Sequence, residues 1–325
     1  MAESKLFLAY RAPGEKLQFY RENQNSPELF HFVNFRGDQK LQIALEACAP
    51  YEFQNWHFHP HQEAPDKEAQ LALLNKTILA LQNGEGAKVV ISRLFSAQTE
   101  WSPLQVLEQM DALYPQAAVY LFSHPAAGTW LGASPENLLS LNEGNLEIAS
   151  LAGTRKWEDR DTFTAKEREE QAIVSRSIIA LLKSQANIEA IKGGETEIKR
   201  AGNLAHLYNA IQAKAGISFE AESFVKELHP TPAVGGSPKA WAMDFILKNE
   251  LYDRRFYTGY FGWSHLERSS AQFWVNLRCA EYSSLQNLNL YVGGGITAQS
   301  LAMDEWKETE AKAQTILKAL EKQNV

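Results

Sequence analysis

Carboxylates set on the apolar stripes of two helices are the first sign of chemistry in this sequence. In KEREEQAIV at 166–174, Glu170 lies one turn before Val174, on a stripe that continues through Ile178 and Leu181. A carboxylate aimed at a core is costly unless it is paired or meets a cation. Alternatively, Glu170 escapes to solvent from the first turn, where the helix dipole favours negative charge. The last predicted helix repeats the pattern. Its stripe is Thr309, Ala313, Ile316, Leu317 and Leu320, with Glu305, Glu308 and Lys312 along one edge. An ordinary Glu308–Lys312 surface pair would account for two of these. The preceding YVGGGITAQS at 291–300 points further, because consecutive glycines such as Gly294 and Gly295 let backbone amides approach an anion.

Other residues suit an anionic substrate and acid–base work. Arg278, in AQFWVNLRCA at 271–280, is placed near a strand end, where its planar fork would grip a carboxylate. Tyr257, in FYTGYFGW at 256–263, is a hydroxyl donor or simply a strand aromatic. Lys88 enters the β-branched run KVVIS; buried near cations it would become a base, and exposed it is only a solvated flank. Glu136 follows a Ser-Pro turn in GASPENLL at 132–139, which would project its carboxyl into a cleft. The loop HPTPAVGGSPK at 229–239 places His229 and Thr231 within reach of a pocket, and Ser237-Pro238 suits an N-cap and first turn. His57, His59 and His61 read as a solvated loop, since proline and carboxylates interrupt them and no metal-binding motif includes them.

The elements that must position these residues alternate in blocks. Helices are expected at 66–82, 103–113, 164–185, 199–214, 219–227, 238–249 and 301–321. Thr164 and Glu167 supply a capping box for the third of them. Strands are expected at 87–95, 117–123, 129–133, 137–141, 145–151, 256–262, 271–279 and 288–292. Blocks of this kind favour α+β with antiparallel sheets. No linker divides the chain, so a single domain is expected.

The bulk composition excludes several classes. With 325 residues, 45% of them hydrophobic, and a net charge of −7, the chain is a globular protein without the basic surface of a nucleic-acid binder. Two cysteines, Cys48 and Cys279, fit a reducing cytoplasm. The segment MAESKLFLAYRAPGEK lacks the long apolar core of a signal peptide, and no stretch approaches the ~20 apolar residues that span a bilayer.

Eight segments in order carry a family resemblance: KVVISR, GASPENLL, SLAGTR, KEREEQAIV, HPTPAVGGSPK, FYTGYFGW, VNLRCAEY and GGGITAQS…EWKETEAKA. The series resembles the chorismate-binding enzymes, which comprise isochorismate, salicylate, anthranilate and aminodeoxychorismate synthases. It spans 86–320; residues 1–85 form a divergent portion without such a signature. The resemblance implies the anthranilate synthase component I type of fold, an antiparallel β-sandwich with outer helices and a central cleft. It also implies Mg²⁺ on Glu170 and Glu308 with Glu305 beside them. His206, Tyr257, Arg278, Lys312, Gly294 and Gly295 would then hold chorismate. Lys88 matches the water-activating lysine of isochorismate and salicylate synthases, with Glu136 as the acid. The ammonia-using members typically lack that lysine, and Ala152 stands where aminodeoxychorismate synthases carry a nucleophilic one. The expectation is therefore a Mg²⁺-dependent isochorismate synthase, a cytoplasmic monomer with no glutamine amidotransferase subunit. Salicylate synthase is the alternative, and anthranilate synthase component I a more distant one. The pathway served, menaquinone or siderophore, is not written in these residues.

Overall fold

The computed structural model describes residues 5–201, 204–266 and 270–321. Residues 1–4 of the N-terminal segment lie outside them. Four strands come first: β1 (Phe7–Arg11), β2 (Gln18–Glu22), β3 (Glu28–Val33) and β4 (Lys40–Cys48). There follow α1 (Lys67–Gln82), β5 (Lys88–Gln98), α2 (Pro103–Leu113), β6 (Ala118–His124), β7 (Gly128–Ser134), β8 (Asn137–Asn142) and β9 (Asn145–Lys156). The middle holds α3 (Ala165–Ser184), β10 (Ile188–Gly193), β11 (Glu197–Ala201), β12 (Leu204–Ala215), α4 (Ala221–Leu228), β13 (Gly236–Ser237) and α5 (Lys239–Asn249). The chain closes with β14 (Tyr260–His265), β15 (Ser270–Val275), β16 (Cys279–Tyr282), β17 (Asn287–Ile296) and α6 (Ala302–Leu320).

These strands make two antiparallel sheets. One runs β4-β2-β1-β6-β7-β16-β17-β5-β13. The other runs β4-β3-β14-β15-β8-β9-β12, with β10 and β11 both on β12. β4 belongs to both, since Lys40–Ala44 pair with β3 and Leu45–Cys48 with β2. The architecture is α+β, as expected.

Alternation along each strand divides the core. Leu8, Tyr10, Tyr120 and Phe122 face inward and meet Phe30, Phe32, Phe256 and Phe261 of the opposite layer. Their neighbours Phe7, Ala9, Val119 and Leu121 join Val106, Met110 and Ile316 of α2 and α6 instead. On the other side, Val174, Ile178 and Leu182 of α3 and Phe224 of α4 cover Ile148, Ile211 and Phe273. α1 and α5 close the end where β5 and β17 pair. Leu182, rather than Leu181, is the fully buried member of the α3 stripe; Leu181 packs at its margin.

Three expectations need correction. The segment 199–214 is not a helix but falls in β11 and β12. Leu207, Asn209, Ile211 and Ala213 of β12 are buried while Gln212 and Lys214 are exposed, a period of two. Its Ala, Leu, Gln and Lys favour a helix intrinsically, but pairing with β9 overrides propensity. The strand expected over 271–279 breaks after Val275, and Arg278 in the gap has a φ of 48°. The strand expected over 256–262 starts at Tyr260, because Arg255 and Thr258 take positive φ. Smaller shifts occur at helix starts, as in α5, where Pro238 is the N-cap and Lys239 the first helical residue.

Candidate active site

Between α3, α6 and the β5/β17 pair lies a cleft of about 750 Å³. Its lining includes Glu136, Glu170, His206, Tyr257, Arg278, Gly293, Gly295, Glu308 and Lys312. Thus residues from both helices do meet at one cleft. Lys88, Gly294 and Glu305 sit immediately behind its wall.

The glycines allow this close arrangement. None of Gly293, Gly294 and Gly295 has a positive φ, so no turn requires them. They continue β17 beside β5, with Gly294 opposite Ile91 and Gly295 opposite Val90. A Cβ on Gly295 would lie 2.1 Å from Glu170 Oε1 and 2.9 Å from Lys88 Cε. On Gly293 it would meet the Tyr257 hydroxyl at 2.8 Å, and on Gly294 it would come within 3.4 Å of Glu305 Oε2. Side chains from elsewhere press against this strip of bare backbone. β16 leaves β17 after Tyr291, and Lys312 Nζ donates to the Gly293 carbonyl at 2.8 Å.

Charge pairs organise the metal-ligand candidates. Lys88, fully buried, places Nζ 2.9 Å from Glu170 Oε1. Lys312 sits 2.7 Å from Glu308, the expected i,i+4 pair, here at the cleft. Glu305 pairs with Lys166 at 2.5 Å, and among the described residues its buried Oε2 meets no partner in hydrogen-bond geometry. Burial first, and then the like charge of Glu308, raise the Glu305 carboxyl above its ordinary range. Lys166 is pulled down by burial, yet Glu305, Glu308 and Glu170 outweigh this and raise it overall. All three carboxylates therefore converge on one neighbourhood. Among the described residues, no three His, Cys, Asp or Glu side chains already stand as a metal cage. Two or three hard oxygen donors, one of them orphaned, nevertheless fit magnesium, which keeps several waters and needs few protein ligands.

Glu136 is the carboxyl of the cleft held most clearly in its protonated form. It follows β7, is buried, and its carboxyl is pushed up to about 8 by desolvation, with Lys88 and Lys312 partly opposing. Such a group stays protonated near neutrality. The residues expected to hold an anion line the same cleft. Arg278 donates from Nη2 to His206 Nε2 at 2.9 Å. His206 Nδ1 bonds the Gly153 carbonyl at 3.0 Å, and since a carbonyl only accepts, the proton sits on Nδ1. Burial, then Arg278 and Lys312, keep this imidazole neutral by lowering it well below its usual value. A register shift of β12 against β9 at this point, with Gly153 at a φ of 69°, aims the ring inward. Burial lowers Arg278 to about 10, with Tyr114 opposing, and a guanidinium so placed is ready for a carboxylate. Tyr257 is buried, stacks on Tyr291 at 5.5 Å, and is raised by desolvation, so it remains a hydroxyl donor.

His229 and Thr231 do not line the cleft; Ala233 and Val234 of their loop do. His229 instead bonds the Phe35 carbonyl at 3.0 Å, and burial lowers it to about 4. The three histidines of the 54–67 loop have separate partners: the Lys5 carbonyl, Glu281 and Ser96. Two residues escaped the sequence reading. Lys166 stands four before Glu170, hence on the same helix face, a spacing that would have found it. Tyr291 had no signal beyond being a strand aromatic.

Fold and site together define an enzyme that binds a small polyanion in the cleft of a two-sheet sandwich. The chain belongs to the chorismate-binding enzyme family, whose model matches residues 19–321. It is 30% identical over 289 residues to isochorismate synthase DhbC of Bacillus subtilis (strain 168), covering 83% of this chain and 72% of that one. With isochorismate synthase EntC of Escherichia coli (strain K12) it shares 31% over 244 residues, covering 71% of this chain and 61% of EntC. Among solved structures, the menaquinone-specific isochorismate synthase MenF of Escherichia coli superposes with a TM-score of 0.83 at 18% identity, covering 98% of this chain and 89% of that one. Anthranilate synthase component I of Streptococcus pneumoniae gives 0.73 at 16%, covering 95% and 89%. These two likenesses establish the fold. The family match begins well before residue 86, and the divergent first portion supplies β1–β4 of the sandwich. No helix among the described residues is long and apolar enough to cross a membrane.

Proposed function

We propose that this cleft isomerises chorismate to isochorismate. Lys88 Nζ takes a proton from water as the water oxygen bonds to C2. The ring double bonds shift, the C4–oxygen bond breaks, and Glu136 gives its proton to the departing hydroxyl. One water enters and one leaves, so the net change is an isomerisation. The observation that carries this reading is Glu136, a buried acid held protonated to about pH 8 in the cleft, with the Lys88 side chain near enough to act on it.

The remaining residues bind and orient. Arg278 and Lys312 suit the substrate's carboxylates, Tyr257 donates its hydroxyl, and neutral His206 holds the Arg278 fork in place. The backbone amide of Gly295 lies on the strip that an anion would approach, whereas Gly294, expected beside it, sits behind the wall opposite Ile91. Glu170 and Glu308, with Glu305 behind, would hold Mg²⁺, whose positive charge offsets that of the ring carboxylate. Lys88 and Glu170 are mutually paired, so the amine is available to water once Glu170 is engaged elsewhere. Water as nucleophile calls for no amidotransferase subunit. We place the enzyme in the cytoplasm as a monomer, consistent with two free cysteines.

The test incubates the protein with chorismate and Mg²⁺ and resolves the products by chromatography. Isochorismate is the expected product. Salicylate with pyruvate, or anthranilate formed only with ammonia, would overturn the assignment. Lys88→Ala should lose turnover by about 10²-fold or more; full activity in that variant rejects the base. Light scattering of the same sample checks the monomer.

A further inference from the structure

Lys166 is a part-buried cation at this site that the proposed reaction leaves unused. Its ammonium lies within salt-bridge distance of Glu305, whose side chain is only 3% exposed. Glu170 stands one turn further along the same face of α3. A second, outer cleft is lined by Lys166, Glu305 and Glu308 together with Thr164, Gln299 and Asp304. Glu308 lines the inner cleft as well. The carboxylates therefore form a partition between the two clefts, and Lys166 holds its outer side.

We infer that Lys166 is an internal counter-cation, an ionic plug that a divalent metal ion entering from the outer cleft must displace from Glu305. The inference rests on the reading of Glu170, Glu305 and Glu308 as metal ligands. Three acids this close repel one another and need a cation to hold them in place. Lys88 and Lys312 each answer one of them, at 2.9 and 2.7 Å. Both lysines also have work at the substrate. Lys166 answers the third. A divalent ion bound to the same carboxylates would compete directly with its ammonium, because two cations sharing one carboxylate group repel. Lys166 would then keep the partition folded without metal and set a threshold for metal entry.

The test is Mn²⁺ binding to the full chain without chorismate, followed by calorimetry and by the paramagnetic signal of the free ion. Lys166→Met should bind Mn²⁺ at least about tenfold more tightly than the wild type. Lys166→Arg, which keeps the charge, should bind like the wild type. Melting supplies an independent readout: metal-free Lys166→Met should melt below the wild type and gain more on adding Mn²⁺. Equal or weaker Mn²⁺ affinity in a folded Lys166→Met variant overturns the inference while leaving the metal site intact. Absence of saturable binding in the wild type and in Lys166→Met alike, or binding that Glu308→Gln does not weaken, overturns the metal reading and this inference with it.

Discussion

At the scale of single residues, the site is a set of charges whose surroundings push them toward particular forms. Glu136 has the clearest consequence. Burial penalises the anion and pushes its carboxyl up to about 8 in the folded protein, from 4.5 ordinarily. The acid form is present below pH 8, so turnover should fall as pH rises through that value. Glu136→Gln should lower turnover by about 10²–10⁴-fold and leave what remains without that alkaline limb. Stability follows the same group. Between 4.5 and about 8 the unfolded chain releases this proton and the folded one keeps it, so the contribution present at low pH is lost across that window. Melting of Glu136→Gln should therefore fall less than wild type between pH 5 and 8; parallel curves would contradict the burial argument. Arg278 gives a second expectation. Lysine there keeps a charge but loses the fork, and cannot reproduce the Nη2 contact to His206. Arg278→Lys should raise the KM for chorismate by about tenfold or more, measured by initial rates, with a smaller change in kcat.

At the scale of elements, the glycine strip of β17 makes a graded prediction. Gly295→Ala forces a methyl into Glu170 Oε1 and Lys88 Cε, whereas Gly294→Ala meets only Glu305 Oε2 at an ordinary contact distance. Activity should fall by about 10²-fold or more in Gly295→Ala, the loss expected of misplaced catalytic groups, and much less in Gly294→Ala. Circular dichroism of both should match the wild type; equal losses would mean that these contacts do not set the geometry. This strip also shows how far the sequence was legible. Three consecutive glycines signalled close approach, but not by what: the structure brings side chains against them. The stripes of α3 and α6, the capping box and the Lys88 run were readable because local periodicity and cap chemistry determine them. β12 was not, since NLAHLYNAIQAKA favours a helix and only pairing with β9 makes it a strand. That error hid the setting of His206, which reached the site through family likeness rather than through its own neighbourhood. The positive φ of Arg278 was likewise invisible, because it arises where the chain steps from β15 in one sheet to β16 in the other.

At the scale of the whole molecule, none of the described residues before 49 lines the cleft, yet the sandwich depends on them. β1 pairs with β6, β3 with β14, and β4 runs from one sheet into the other. Phe30 and Phe32 from β3 stand in the layer between the sheets, with Phe32 stacked on Phe256 at 4.5 Å. Phe256 immediately precedes Tyr257 of the cleft; Trp130 meets Phe256 edge-on and stacks on Tyr291, which stacks on Tyr257. A side chain far from the reacting atoms thus supports the wall that positions them. Phe32→Ala should cost about 3–5 kcal/mol of stability, measured as a lower denaturant midpoint. Its kcat should fall less than that of Gly295→Ala, since it loosens the wall without intruding on the carboxylate. A chain begun at residue 49 should fare worse: the exposed edges of β6 and β14 and the missing half of the aromatic layer leave no closed core. It should show no cooperative thermal transition and no near-ultraviolet aromatic dichroism. A truncated chain that melted cooperatively and still turned over chorismate would show that the β5–β17 half positions the cleft by itself.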